Sequence, residues 1–112
     1  MSGCLFCKVV SGEIPATVVK RVEGMLAFKD INPQAPTHLL AIPTAHVASL
    51  NDARDDHALG RLLAFARDLA REVGLADAGY RLVVNTNADG GQTVFHLHVH
   101  VLGGRPMRWP PG

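Results

Sequence analysis

Three histidines alternate with apolar residues near the end of the chain, in the segment His96-Leu97-His98-Val99-His100. Alternate side chains of a strand project from the same face, so this segment predicts an imidazole row opposite an apolar face. Imidazoles are poor core residues unless their polar atoms are satisfied, which disfavours an inert histidine-rich strand. Two chemical interpretations remain. The row either holds a metal ion or presents a nucleophilic imidazole to a substrate.

A glycine-rich segment, 89–95, stands directly before this row. Its paired glycines allow backbone N–H groups to approach an anion closely, and Gln92 and Thr93 add neutral donors. A Gly-Gly pair by itself most often marks only a turn. Beside the histidine row it indicates a phosphate held against an imidazole, with His98 attacking phosphorus.

A catalytic metal held by the three alternate histidines is a rival interpretation. Three same-face positions of a strand span about 13 Å at a rise of roughly 3.3 Å per residue, which is long for ligands of one ion. No glutamate base accompanies the row.

Two cysteines, Cys4 and Cys7, form a Cys-x-x-Cys motif. A disulfide framework of a secreted protein would need more cysteines, spread along the chain. The pair is therefore half of a tetrahedral zinc site with His46 as a third candidate ligand, a redox pair, or two buried thiols. The redox interpretation is disfavoured because no strand precedes the motif.

Length and composition favour one domain spanning residues 1–112. The chain has 112 residues, 47% of them hydrophobic, and its 11 basic and 10 acidic side chains give a net charge of +1. This balance excludes a disordered chain and a protein that grips a nucleic acid polymer by charge. No apolar run approaches the roughly 18–20 residues of a membrane span, and the segment 1–4 has no signal-peptide pattern. We therefore expect a cytoplasmic protein without a membrane partner.

The pattern of apolar residues predicts an α+β fold with an antiparallel five-stranded sheet, one long helix and one short helix. Apolar residues at helical spacing from Leu59 to Val73 predict the long helix, with Gly74 as its C-cap. The short helix is predicted over 5–11 and a flexible loop over 87–92. The predicted strands are 17–22, 25–30, 38–42, 80–85 and 95–102.

Taken together, these motifs resemble the histidine triad family, in its nucleotide-binding phosphoramidase branch. The segment 96–102 matches the alternating histidine signature of that family. The resemblance spans nearly the whole chain, with further matching segments at 13–16, 26–38, 42–43, 80–85, 90–92 and 109–112.

The resemblance implies a reaction and its catalytic residues. His98 would attack the α-phosphorus of a purine nucleoside 5′-phosphoramidate, expel the amine and form a nucleotidyl-histidine that water hydrolyses. His100 would contact the phosphate and His38 would orient the imidazole of His98. Thr93 stands where relatives often carry a serine that assists the leaving amine, and its hydroxyl retains that role. The implied catalysis needs no cofactor.

The resemblance also implies the nucleotide contacts. Asp30 would hold the ribose hydroxyls and Asn85 would lie beside the phosphate. The apolar positions that would sandwich the purine are Phe6, Val9, Phe28 and Ile31. The phosphate loop would contain Gly91, Gln92, Thr93 and Val94. Trp109 lies in the tail that would complete the site. Simpler interpretations stay open: core positions for Phe28 and Ile31, an Asx turn for Asp30, and a turn former for Asn85.

Two further expectations follow from the resemblance. Cys4, Cys7, His46 and His96 would bind one structural zinc ion with a closed coordination shell. The exposed tail with Trp109 would either dock on its own domain or reach a partner in a homodimer whose sheet continues across the two-fold axis. A diadenosine polyphosphate hydrolase of the same family and a nucleotide-binding or partner-binding module with vestigial catalysis are the alternative functions.

Overall fold

The computed structural model describes residues 3–112. Met1 and Ser2, which begin the segment expected to lack a signal-peptide pattern, lie outside the described residues. The elements in chain order are α1 Leu5–Ser11, β1 Val18–Val22, β2 Met25–Lys29, β3 Thr37–Pro43, α2 Asp56–Glu72, β4 Tyr80–Val83, α3 Asn87–Gly90 and β5 Val99–Gly103, with a 3-10 turn at Leu50–Asp52.

The five strands form one antiparallel sheet in the order β1-β2-β3-β5-β4. The α+β prediction with five antiparallel strands is therefore confirmed. The sheet has a core on each face. Helix α2 packs on one face, against residues that include Leu97, Val99 and Val101, and Phe6 and Val9 of α1 pack on the other face with Phe28. The imidazoles of the histidine row lie on the α1 side.

Helix α2 shows clear local signals at both ends. Asp55 is the N-cap and its carboxylate accepts the backbone N–H of Ala58 at 3.1 Å,. At the other end Val73 is the C-cap residue, so the prediction of Gly74 for that position is wrong by one residue. Gly74 follows with a φ of 84°, and Leu75 N–H donates to Ala70 O at 2.8 Å, which makes a Schellman motif,.

The last strand begins later than predicted, at Val99 instead of Phe95. Alternation of apolar and polar residues continues through residues 95–98, but these residues do not pair with a strand. The N–H of Leu97 instead donates to Val47 O at 2.6 Å. This segment is therefore an irregular connection that carries His96 and His98 to the start of β5, an interior strand of the sheet.

The predicted loop 87–92 contains a one-turn helix, α3, that the sequence analysis did not find. Asn87 has a φ of 58° and Gly91 a φ of 81°, which turn the chain sharply at both ends of the element. Gln92 stabilises this turn, because its side-chain oxygen accepts the N–H of Asn87 at 2.9 Å. In residues 3–112 no helix combines the length and the apolar character that a membrane crossing requires.

Candidate active site

His98 is buried at the end of the connection that leads into β5. Its Nδ1 lies 2.7 Å from the carbonyl oxygen of His96. A carbonyl can only accept, so Nδ1 carries the proton and Nε2 presents a lone pair. Burial lowers the pKa of His98, which keeps the ring neutral,. The structure therefore holds a neutral imidazole in one tautomer, the form that a nucleophilic nitrogen requires.

His38 and His100 form a second hydrogen-bonded pair beside it. The N–H of Gln34 donates to His38 Nδ1 at 3.0 Å, so the proton of a neutral His38 is on Nε2,. That Nε2 lies 2.8 Å from His100 Nδ1, which must then accept. By elimination the proton of His100 is on its Nε2. These two bonds fix the donor and acceptor role of every ring nitrogen in the pair.

The Nε2 of His100 is buried and has no hydrogen-bond partner among residues 3–112. Burial first, and then the neighbouring His98 and His38, lower the pKa of His100 to about 4. The ring is therefore a neutral donor with an unused N–H. The rings of His98 and His100 have centroids 4.9 Å apart, so this donor lies beside the nucleophile candidate. An unsatisfied buried donor is costly, and a substrate oxygen would satisfy it.

The four apolar residues expected to hold the purine line one cavity of about 320 Å³. Phe6 and Phe28 meet edge to face with ring centroids 5.3 Å apart, and Phe6 also meets the ring of His98 at 5.1 Å. Ile31 is 96% exposed at the rim, so it is not a core residue. Val94 and Asp30 also line the cavity. The cavity is therefore lined mainly by apolar side chains, and Phe6 connects it to the histidine cluster.

Asp30 makes the Asx-turn contact that its sequence position allowed, and it also contacts His38. Its Oδ1 accepts the N–H of Asn32 at 2.8 Å, which is the Asx-turn contact,. Its Oδ2 lies 3.4 Å from His38 Nε2. The same carboxylate thus shapes the loop before β3 and borders both the cavity and the His38–His100 pair.

The phosphate-loop residues occupy different environments. Gln92 is buried, and its amide nitrogen donates to Ala48 O at 2.8 Å and to Val94 O at 3.1 Å. With its oxygen on Asn87 N–H, the Gln92 side chain has no polar group left for a substrate. Thr93 is exposed beside the cavity, and Gly91 has the left-handed backbone that ends α3. Gln92 thus holds the loop in place, whereas Thr93 is free to contact a ligand.

Six predicted substrate contacts do not line the cavity: Asn85, Gly91, Gln92, His98, His100 and Trp109. Asn85 is half-buried after β4, and its backbone packs against Gly90. Trp109 is 82% exposed, and the guanidinium of Arg81 lies 5.9 Å from its ring centroid. Within one chain the structure therefore does not bring Trp109 to the histidine cluster.

The four expected zinc ligands come together at the other end of the histidine row. The ligand atoms of Cys4, Cys7, His46 and His96 lie within 4.8 Å of one another. His96 Nε2 donates to Pro43 O at 2.8 Å, which leaves the Nδ1 lone pair facing the thiols of Cys4 at 3.4 Å and Cys7 at 3.6 Å. Two sulfur and two nitrogen donors, with a carbonyl fixing one imidazole, fit a closed tetrahedral zinc site.

The three histidines of the row do not share one partner. His96 Nδ1 faces the cysteines, His98 Nδ1 bonds a carbonyl, and His100 Nδ1 bonds His38. This arrangement gives no support to a catalytic metal bound by all three. Sequence reasoning also missed the contributions of Gln34 and Pro43, because both act through main-chain atoms that every residue type carries.

The chain is similar to known proteins over nearly its whole length. The family model for the HIT domain matches residues 11–107. A purine nucleoside phosphoramidase of Escherichia coli K12 is 47% identical over 105 residues, which cover 92% of this chain and 88% of that protein. A 14 kDa zinc-binding protein of Zea mays is 50% identical over 115 residues, covering 99% of this chain and 89% of that protein.

Among solved structures, a HIT family hydrolase from Legionella pneumophila Philadelphia 1 superposes with a TM-score of 0.95 and 57% identity. The match covers 98% of this chain and 100% of that one. These relatives support an enzymatic role. The resemblance inferred from the histidine row is confirmed: the chain belongs to the HIT-domain family.

Proposed function

We propose that this protein hydrolyses the P–N bond of purine nucleoside 5′-phosphoramidates through a nucleotidyl-histidine. The observation that carries the proposal is the pairing of a neutral His98, whose proton is held on Nδ1, with the unused Nε2–H of His100 beside it. One ring supplies the nucleophile and the other a donor for a phosphoryl oxygen. The E. coli relative, whose name is purine nucleoside phosphoramidase, supports the choice of substrate.

The first step forms a bond between His98 Nε2 and the α-phosphorus while the P–N bond to the amine breaks. The departing amine takes up a proton from solvent, and the hydroxyl of Thr93, which is exposed beside the cavity, would hydrogen-bond it,. In the second step a water oxygen attacks the phosphorus and releases a proton to solvent, and the bond to His98 breaks. The products are the free amine and the nucleoside 5′-monophosphate, and His98 returns to its starting tautomer.

The surrounding residues bind and orient the nucleotide. The apolar cavity of Phe6, Val9, Phe28 and Ile31 would take the purine, and Asp30 at its edge would accept from the ribose hydroxyls. His100 would donate to a phosphoryl oxygen, with His38 holding its ring. Backbone groups near Gly91 and Val94, together with Asn85, would complete the phosphate contacts.

We further propose one structural zinc ion bound by Cys4, Cys7, His46 and His96. The metal would tie α1 to the connection that carries His98, and it would take no part in the reaction. Both cysteines are free thiols in the described part of the chain. A site that needs two thiolates suits a reducing compartment, so we place the protein in the cytoplasm.

A homodimer is the assembly that best explains the exposed apolar surface. Leu50, Leu63 and Val84 are exposed apolar residues that line one shallow cavity of about 260 Å³. Strand β4 is an edge strand of the sheet, and Val84 follows it directly. A second copy packed on this face would cover these residues and the unpaired edge.

Steady-state turnover tests the proposed reaction. Purified protein is assayed with adenosine 5′-phosphoramidate and with diadenosine polyphosphate, beside His98→Ala and His57→Ala. His57 is exposed on α2, so its replacement serves as a matched histidine control. We expect amine release from the phosphoramidate by the wild type and by His57→Ala, and a loss of at least 1,000-fold in His98→Ala, in line with removal of a covalent nucleophile. Preference for the diadenosine compound would reassign the substrate class.

A further inference from the structure

The chain after β5 folds back on the loop 30–36 that precedes β3. Arg105 donates from Nη2 and Nε to the carbonyl oxygen of Gln34 at 3.0 and 3.3 Å, and from Nη1 to Pro106 O at 3.0 Å. Gly104 has a φ of 91°, and a Cβ at this position would lie 2.8 Å from the Cβ of Pro36. The two segments therefore meet at a distance that only glycine allows.

Gln34 is the residue that fixes the ring of His38. Its carbonyl accepts from Arg105, while its N–H donates to His38 Nδ1 at 3.0 Å. The Gln34 side chain adds one bond within the loop, from Nε2 to Asn32 O at 2.9 Å. Gln34 itself is exposed, so burial does not hold its backbone in place. The guanidinium of Arg105 provides the hydrogen bonds that tie Gln34 to a separate segment of the chain.

The tautomer of His38 has a consequence for His100. With the proton on His38 Nε2, His100 Nδ1 accepts and the unpartnered Nε2 of His100 is a donor. Without the Gln34 N–H, a neutral His38 can carry its proton on Nδ1, and its Nε2 then accepts from His100 Nδ1. In that arrangement the Nε2 of His100 has only a lone pair, which repels a phosphoryl oxygen.

We propose that Arg105 is a positioning residue for the reaction: its clamp on the Gln34 carbonyl fixes the His38 tautomer and thereby keeps a proton on His100 Nε2. The expected change in kcat rests on the proposed function, whereas the expected change in the tautomers of His38 and His100 can be measured in the free protein. Arg105 lies outside the nucleotide cavity, so its loss acts on the transition state more than on substrate binding,.

The test compares Arg105→Ala and Arg105→Lys with Arg61→Ala as control. Arg61 makes the same kind of contact, from Nη2 to the carbonyl oxygen of Glu23 at 3.4 Å, on the α2 side of the sheet. Long-range ¹⁵N–¹H spectra of the free protein report which nitrogen of His38 and of His100 carries the proton. Steady-state kinetics with adenosine 5′-phosphoramidate give kcat and KM separately.

We expect Arg105→Ala to lower kcat about fivefold to tenfold, which is the size of the net contribution of a typical hydrogen bond, with KM changed less than twofold. The His38 and His100 ring signals move toward the other tautomer, Arg105→Lys recovers part of both effects, and Arg61→Ala matches the wild type. Wild-type ring signals in Arg105→Ala would overturn the inference, as would a wild-type His38 that carries its proton on Nδ1. If Arg105→Ala changes the tautomers but the wild type turns over no phosphoramidate, the positioning role of Arg105 is supported and the proposed function is refuted.

Discussion

The ring of His98 is held by the carbonyl oxygen of His96, only two residues earlier, at 2.7 Å. The side chain of His96 points to Cys4 and Cys7, so this one residue belongs to the candidate metal site through its ring and to the candidate active site through its backbone. The two sites are therefore adjacent parts of a single connection. A metal ion bound at the candidate metal site would therefore help to hold the ring of His98 in position.

Loss of the zinc ligands tests the metal site. We expect one zinc ion per wild-type chain and none in the double variant Cys4→Ser, Cys7→Ser. Loss of the metal should lower the free energy of unfolding by about 2 kcal/mol. The unfolding midpoint of the variant should therefore fall by about 10 °C, because each kcal/mol corresponds to roughly 4–8 °C in a domain near this size. Metal content by mass spectrometry and thermal unfolding by circular dichroism measure both quantities. Equal zinc in the variant would refute the ligand assignment.

Ile31 offers a clean test of the nucleotide cavity because it is 96% exposed and lines the cavity without belonging to the core. Replacement by alanine removes an apolar contact worth about 1 kcal/mol, so we expect KM for the phosphoramidate to rise about fivefold with little change in kcat. Val18→Ala, an exposed apolar residue of β1, is the matched control. An unchanged KM in Ile31→Ala would remove Ile31 from the binding site.

The half-buried ring of His100 makes the stability of the fold depend on pH. Its pKa in the folded chain is about 4, below the ordinary value of 6.5, chiefly because of burial. The unfolded chain therefore binds more protons between these values, so the contribution of His100 to stability is complete above pH 6.5 and is lost as pH falls toward 4. His38, His98 and Asp30 are the titratable groups that influence it.

Urea unfolding of wild type and His100→Asn between pH 7.5 and 4.5 measures this dependence. The midpoint should fall less steeply with acid in the variant, and the difference between the two proteins cancels any shared loss of metal. His57→Asn, at an exposed position, should follow the wild-type curve. Parallel curves for wild type and His100→Asn would show that His100 is not held neutral by the fold.

The assembly is tested by a charge placed in the exposed apolar patch. We expect the wild type to sediment at about twice the mass of the 12.0 kDa chain. Leu63→Glu should shift it to the monomer, because a carboxylate would be buried between the copies. Val18→Glu makes the same kind of change in β1, at the opposite edge of the sheet from β4, and should remain dimeric. A monomeric wild type would exclude the dimer.

The sequence predicted those features of the fold and site that depend on the type and spacing of side chains. The apolar spacing of α2 and the alternation in β5 are of this kind, and so are Cys4, Cys7 and His46 of the candidate metal site. The assignment of His96 to that site came from the family resemblance. The start of β5 was misplaced because residues 95–98 keep the alternation while Leu97 bonds to Val47 O. The contacts of Gln34, Pro43 and Arg105 use main-chain carbonyl and N–H groups, which leave no trace in composition or spacing.

Intact-mass spectrometry of enzyme quenched during turnover of adenosine 5′-phosphoramidate tests the central claim most directly. A slowly hydrolysed analogue is run in parallel so that the intermediate accumulates, and His98→Ala and His57→Ala accompany the wild type. We predict a nucleotidyl adduct that maps to His98 in the wild type and in His57→Ala and is absent from His98→Ala. Turnover of both substrates with no adduct on any histidine, or an adduct on another residue, would contradict the account.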